Sequence, residues 1–305
     1  MNEKAVDWLL QSKNPSIRYR TQRDLIGVVP DGSLRKEIED SKPVQKIFSK
    51  MHPEGYWLYR DVGDGIDYAM SSSTHFVLSY LAELGLNKSN PIVNQAVNRY
   101  LNLSEADYHT KQSCLYAHNL RTFILMGYQD DERIAKRIET LVENVRQDGG
   151  YLCVRPNFTE KTKSCIRGTL KALMAYAEIP ALWKHESCQK TVCYFLNRKV
   201  YFKHPELTER IRGGMVAVFP FVISSSLLEP LYALSKMGYG KHAALQDAWG
   251  QLEQRKTSDG KYLLDWHPPA IFIPGKKKEP NEWVTFYALL AKKHREKEIQ
   301  GIWAA

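Results

Sequence analysis

An all-α protein built of helical hairpin repeats is what the 305-residue chain predicts, on two internal offsets and one recurring period. Gly55-Tyr56-Trp57 overlies Gly150-Tyr151-Leu152 at an offset of 95, and the same offset brings Thr74 onto Thr169, Leu78 onto Leu173 and Ala82-Glu83 onto Ala177-Glu178. A second offset, of 111, brings Met126-Gly127-Tyr128 onto Met237-Gly238-Tyr239 and Asp148-Gly149-x-Tyr151 onto Asp259-Gly260-x-Tyr262. Agreement at both ends of gapless spans is the mark of a repeat architecture. Between the repeated turns the apolar residues recur with the period of a helix: Thr74, Val77, Leu78, Leu81 and Leu84 follow i, i+3, i+4, i+7, and Gly85 supplies a stop.

In chain order, residues 1–50 come first as a helical cap. Asp7-Trp8-Leu9-Leu10 and the Asn14-Pro15-Ser16 helix start read as two short helices, similar to a HEAT-like hairpin, placed where a terminal repeat would close the array. Residues 51–305 carry the repeats. Further inner helices, apolar over much of their surface, are expected at about 113–126, 164–179, 225–237 and 281–292, with more polar partners at 91–102, 131–146, 186–198 and 242–255. Each outer helix must be followed by a reversal of the chain. Asp-Gly provides a tight turn that tolerates positive φ, and the aromatic behind it plugs the gap between neighbouring hairpins.

Composition narrows the function classes. Hydrophobic residues make up 43% and charged residues 25%, an ordinary globular balance, and no apolar run is long enough for a membrane span. The start of the chain makes a poor signal peptide, so a cytoplasmic protein is expected. Five cysteines without a CxxC pair suit reduced thiols better than a disulfide framework. The net charge of +9 is scattered over helices that also carry acids, which suits a solvated basic surface and no nucleic-acid partner.

The alternating helices and the segment Arg146-Gln147-Asp148-Gly149-Gly150-Tyr151-Leu152 resemble the α/α toroid of the terpenoid cyclase and protein prenyltransferase superfamily, as does Pro274–Lys293 as a final inner helix. The resemblance covers residues 52–293 and implies an α/α toroid with a central pocket for a small apolar or prenyl-type ligand. Its catalytic motifs are not reproduced. No DxDD tetrad occurs, and the nearest acidic cluster, Asp61, Asp64 and Asp67, has other spacing. Asp130-Asp131-Glu132-Arg133-Ile134 ends in Ile where DDxxD needs an acid, and its position suits helix capping. At the start of an inner helix Cys165 matches the zinc-binding Cys of prenyltransferases, but Lys163 replaces the Asp and Val284 stands near the place of the His.

The candidate site residues lie where inner helices begin and would line a polar-mouthed funnel. Thr74, His75, Arg167, Ser225, Glu282 and Trp283 are the ligand-binding candidates. Cys114, His118 and Cys165 could hold zinc, since Cys114 and His118 are four apart on one helical face. Asp61, Asp64, Asp67 and Glu229 are the acid–base candidates, because a carboxyl group in an apolar funnel has a raised pKa. The expected activity is that of a cyclase or lyase on the pocket ligand. The alternatives are a non-catalytic toroid that binds a peptide or protein partner, and a carbohydrate-active α/α-barrel enzyme, which paired carboxylates would favour.

Overall fold

The computed structural model describes residues 3–57, 73–102, 113–152, 163–221, 226–267 and 274–297. Within them the chain folds as an α/α toroid of thirteen α-helices. The chain opens with α1 (Glu3–Leu10) and α2 (Pro15–Arg20), which runs without a break into a π-helical segment, Thr21–Ile26. Helices α3 (Gly32–Glu39) and α4 (Lys42–Phe48) follow. Then inner and outer helices alternate: α5 (Thr74–Glu83), α6 (Pro91–Leu101), α7 (Ser113–Leu125), α8 (Glu132–Glu143), α9 (Ile166–Ala177), α10 (Glu186–Leu196), α11 (Leu228–Lys236), α12 (Gln246–Glu253) and α13 (Glu282–Arg295).

Outer helices α6, α8 and α10 start at side-chain caps. Asn90 Oδ1 accepts from the amides of Ile92 and Val93, with Pro91 at the first helical position. Asp131 Oδ1 accepts from the Arg133 amide at 2.9 Å, so the acidic pair at 130–131 serves the start of α8. The inner helices show no solvated face: every residue of α5 is buried, as are Gly168–Ala177 of α9 and Trp283–Ala291 of α13. Inner helices pack on one another in the order α5, α7, α9, α11, α13, and α13 packs on α2 and the π-helical segment. Arg20, at the junction of those two segments, donates to the Glu83 carbonyl at 2.9 Å. Residues 15–26 therefore stand between α13 and the end of α5, and the ring closes through them.

The repeated turn has one hydrogen-bond plan at all three sites. The Trp57 amide donates to Thr74 Oγ1, the Tyr151 amide to Thr169 Oγ1 and the Tyr262 amide to Thr285 Oγ1, at 2.8–3.0 Å. Each aromatic ring meanwhile reaches back to the outer helix before it: Trp57 Nε1 donates to the Ile47 carbonyl, the Tyr151 hydroxyl to the Leu141 carbonyl, and the Tyr262 hydroxyl to Glu253. One residue thus ties an outer helix to the next inner helix. The glycines make the reversal possible, with φ of +88° at Gly55, +80° at Gly149 and +86° at Gly260. At Gly149 a Cβ would also lie 2.1 Å from the Lys190 carbonyl oxygen, and at Gly150 it would lie 2.3 Å from Ser164 Cβ. The double glycine is required by close packing as well as by backbone conformation.

Candidate functional site

Charged residues on inner helices face one another along the axis, in two layers. Near the C-terminal ends of the helices, Glu83 accepts from Arg121 Nη1 at 2.7 Å, from Arg20 Nη1 at 3.2 Å and from the Tyr287 hydroxyl. Glu178 accepts from the Tyr232 hydroxyl at 2.9 Å and from Lys236, and its carboxylate stands 3.5 Å from Arg121 Nε. Glu83 and Glu178, equivalent under the offset of 95, thus share Arg121 on the helix between them. Burial alone would raise both carboxyl pKa values. The guanidiniums of Arg121 and Arg20 at Glu83, and Lys236 with Arg121 at Glu178, reverse that and hold both below the ordinary range.

The second layer lies toward the starts of the inner helices. Glu229, in the first turn of α11, is 0% exposed and accepts from Lys171 of α9 through Oε1. Its Oε2 has no hydrogen-bond partner among the described residues. Burial raises the Glu229 pKa, the Lys171 ammonium only partly opposing it. His118 of α7 is buried with Nε2 likewise unpartnered, and it is held neutral, first by burial and then by the positive fields of Lys171, His75 and Arg121. Burial pushes His75 down to about 3, with its Nδ1 3.3 Å from Ser73 Oγ. An aromatic cluster is buried around the start of α13: Phe219 stacks on Trp283 at 4.6 Å with the rings 6° apart, and Phe221 meets Tyr287 edge-on. A buried carboxyl group of raised pKa bonded to Lys171, with a neutral imidazole in the field of the same lysine, is a set that proton transfer can use.

The sequence candidates fall in different places. His118 and Glu229 enter this layer, with His75 near His118, and Trp283 is buried in the aromatic cluster at the start of α13. The Thr74 hydroxyl both accepts from the Trp57 amide and donates to its carbonyl, so it serves the turn. Glu282 opens α13 and is half-buried. Arg167 is exposed and lines a cleft beside the first turn of α9. Asp61, Asp64, Asp67 and Ser225 lie outside the described residues. The expected zinc ligands do not assemble: among the described residues no three His, Cys, Asp or Glu side chains converge as a metal site. Cys165 Sγ caps α9 by accepting from the Gly168 amide at 3.4 Å, Cys114 packs with Leu115 in a small apolar cluster against Cys165, and His118 faces cations that oppose a further positive ion.

Sequence reasoning missed Lys171, Arg121, Arg20 and the paired role of Glu83 and Glu178. A signal existed. A lysine inside Leu170–Ala177 and an arginine inside Leu120–Leu125 break otherwise apolar helices, and such cations need an internal partner.

No protein-family model matches the chain, and no curated protein matches it. Solved structures do resemble it. A glycosyl hydrolase family 88 protein from Bacteroides vulgatus superposes with a TM-score of 0.55 at 16% identity, covering 95% of this chain and 96% of its own. A polysaccharide lyase superposes with a TM-score of 0.51 at 12% identity, covering 98% of this chain and 92% of its own. At such identities the likeness establishes the α/α-toroid fold. Both neighbours are carbohydrate-active by name, and neither is a terpenoid cyclase, so the toroid expected from sequence stands without the cyclase assignment. No helix among the described residues is long and apolar enough to cross a membrane.

Proposed function

We propose that the chain is a carbohydrate-active α/α-barrel enzyme that breaks a glycosidic linkage by proton transfer, with Glu229 as general acid and His118 as its neutral partner. The observation that carries the reading is the buried Glu229 carboxyl group, raised in pKa, with one oxygen accepting from Lys171 and the other unpartnered among the described residues, while His118, in the field of the same lysine, also leaves its Nε2 unpartnered. Toroid neighbours that act on glycans support the same class. A prenyl ligand fits the axis poorly, because Arg20, Glu83, Arg121, Lys171, Glu178 and Glu229 fill it with charge that an apolar chain would have to desolvate.

Inverting and retaining hydrolysis both need two carboxyl groups across the scissile bond. In the described part of this layer Glu229 is the carboxyl group, with His118 and Lys171 around it, a set suited to base-and-acid elimination. The test is a panel of neutral and acidic oligosaccharides, followed by chromatography for new ends and by ultraviolet absorbance for an eliminated, unsaturated product. Glu229→Gln is expected to lower kcat on the order of 10²-fold or more, as loss of a general acid does. Full turnover in that variant, or cleavage of none of the panel by the wild type, rejects the reading.

A further inference from the structure

A cleft of about 710 Å³ opens between the first turn of α9 and the chain that follows α10. Five cationic side chains line it: Lys163, Arg167, Arg198, Lys203 and Arg212. Two carboxylates, Asp148 and Glu206, share the lining, and Glu209 pairs with Lys203 at its edge, so cations exceed carboxylates by two. Asp148 is already engaged, accepting from Ser164 Oγ at 2.7 Å and from the Gly150 amide at 3.0 Å. Lys203 is paired with Glu209. Lys163, Arg167 and Arg212 have no acidic partner among the described residues.

Ordinary surface cations are mobile and matched by nearby acids. Arg198 is fixed: its Cζ sits 3.6 Å above the Tyr194 ring and its Nη1 donates to the Tyr194 carbonyl at 2.9 Å. Tyr194 is itself buried, which gives this guanidinium a rigid base. The opening turn of α9, a 12-residue helix, contributes Ile166 and Arg167 to the lining, and first-turn amides have no acceptor within their own helix. Oriented guanidiniums, lysines and a helix start around one concave volume share a preference for concentrated negative charge.

We infer that this cleft binds a compact phosphoryl-bearing ligand, at a site separate from the Glu229 layer and not dependent on the carbohydrate reading. A phosphate monoester brings about 1.5–2 negative charges and three acceptor oxygens in one group, against one charge for a carboxylate. That density suits the cluster of Lys163, Arg167, Arg198 and Arg212 within a cleft of this size. Because the cations are exposed or half-buried, binding weakens as added salt screens them.

The test is isothermal titration of the full-length protein with inorganic pyrophosphate at low ionic strength, with citrate as a carboxylate comparison. Saturable 1:1 binding is expected, about tenfold weaker or worse in Arg167→Ala/Arg212→Ala, which corresponds to about 1.4 kcal/mol. Lys13→Ala/Lys36→Ala removes the same charge elsewhere on the surface and is expected to bind within about twofold of wild type. Absence of saturable binding, or equal losses in the two double variants, overturns the site. Citrate binding as tightly as pyrophosphate overturns its phosphoryl assignment.

Discussion

At the scale of single residues, the contact between Lys171 and Glu229 separates a working site from an internal brace. A buried ion pair broken on one side leaves an uncompensated charge, at a cost of about 3–5 kcal/mol, whereas replacing both ions by apolar groups of similar volume is neutral or stabilising by about 1–4 kcal/mol. Lys171→Met alone and Glu229→Leu alone are therefore expected to lower stability strongly, and Lys171→Met/Glu229→Leu to restore or exceed it. Urea unfolding of the four proteins checks this. If the double variant remains as unstable as the single ones, the pair is contributing fold stability that a functional charge pair does not. The singletons also explain what the sequence concealed. Lys171 and Glu229 are 58 positions apart, and Glu83 meets Arg121 across 38 and Tyr287 across 204, separations over which no local pattern indicates a partner.

At the scale of the element, the turn ahead of each inner helix shows why the fold was legible. Its signal is local: a glycine at positive φ, an aromatic two or fewer residues later, and a threonine on the following helix, all within about two dozen residues of sequence. The superposition of Thr74 on Thr169 reflects a shared hydrogen bond to the turn. Helix bounds followed for the same reason. Glycines in the left-handed conformation end α5, α7 and α11 at Gly85, Gly127 and Gly238, the last two in the positions that the Met-Gly-Tyr offset marks. The three turns differ in tolerance. Gly149→Ala must relieve both a positive φ and a 2.1 Å approach to backbone, whereas Gly55→Ala meets only the flexible Gln95 side chain at 3.2 Å. The first is expected to cost upward of about 3 kcal/mol and the second about 1–2 kcal/mol, measurable as unfolding midpoints in urea.

At the scale of the whole molecule, the axial charges set the response to acid. Glu83 and Glu178 have folded pKa values below the ordinary 4.5, and Asp24, beside Arg20 and Arg23, lies at about 2. Carboxyl groups with depressed pKa stabilise the fold above their unfolded values, and that contribution is lost as pH falls through their folded values. Glu229, with its raised pKa, acts in the opposite sense, its contribution declining as pH rises through its folded value. Three depressed groups outweigh one raised group in the acid range. Thermal midpoints are expected to fall steeply below about pH 4.5, each kcal/mol lost lowering the midpoint by about 2–4 °C. Glu83→Gln/Glu178→Gln should flatten that acid limb while lowering the midpoint near neutrality; an unchanged limb would place the acid sensitivity elsewhere.

The closure of the ring through residues 15–26 also has a consequence for how the protein is made. Arg20 leaves the ribosome well before Phe286 and Tyr287, on whose rings its guanidinium rests at 5.0 and 5.8 Å and which are synthesised more than 260 positions later. Until α13 emerges, the nascent chain is an open crescent. Its leading edge carries a cation with Glu83 as partner on one side and no aromatic surface on the other. Closing the circle is then a late long-range step of folding, and it joins segments made far apart in time.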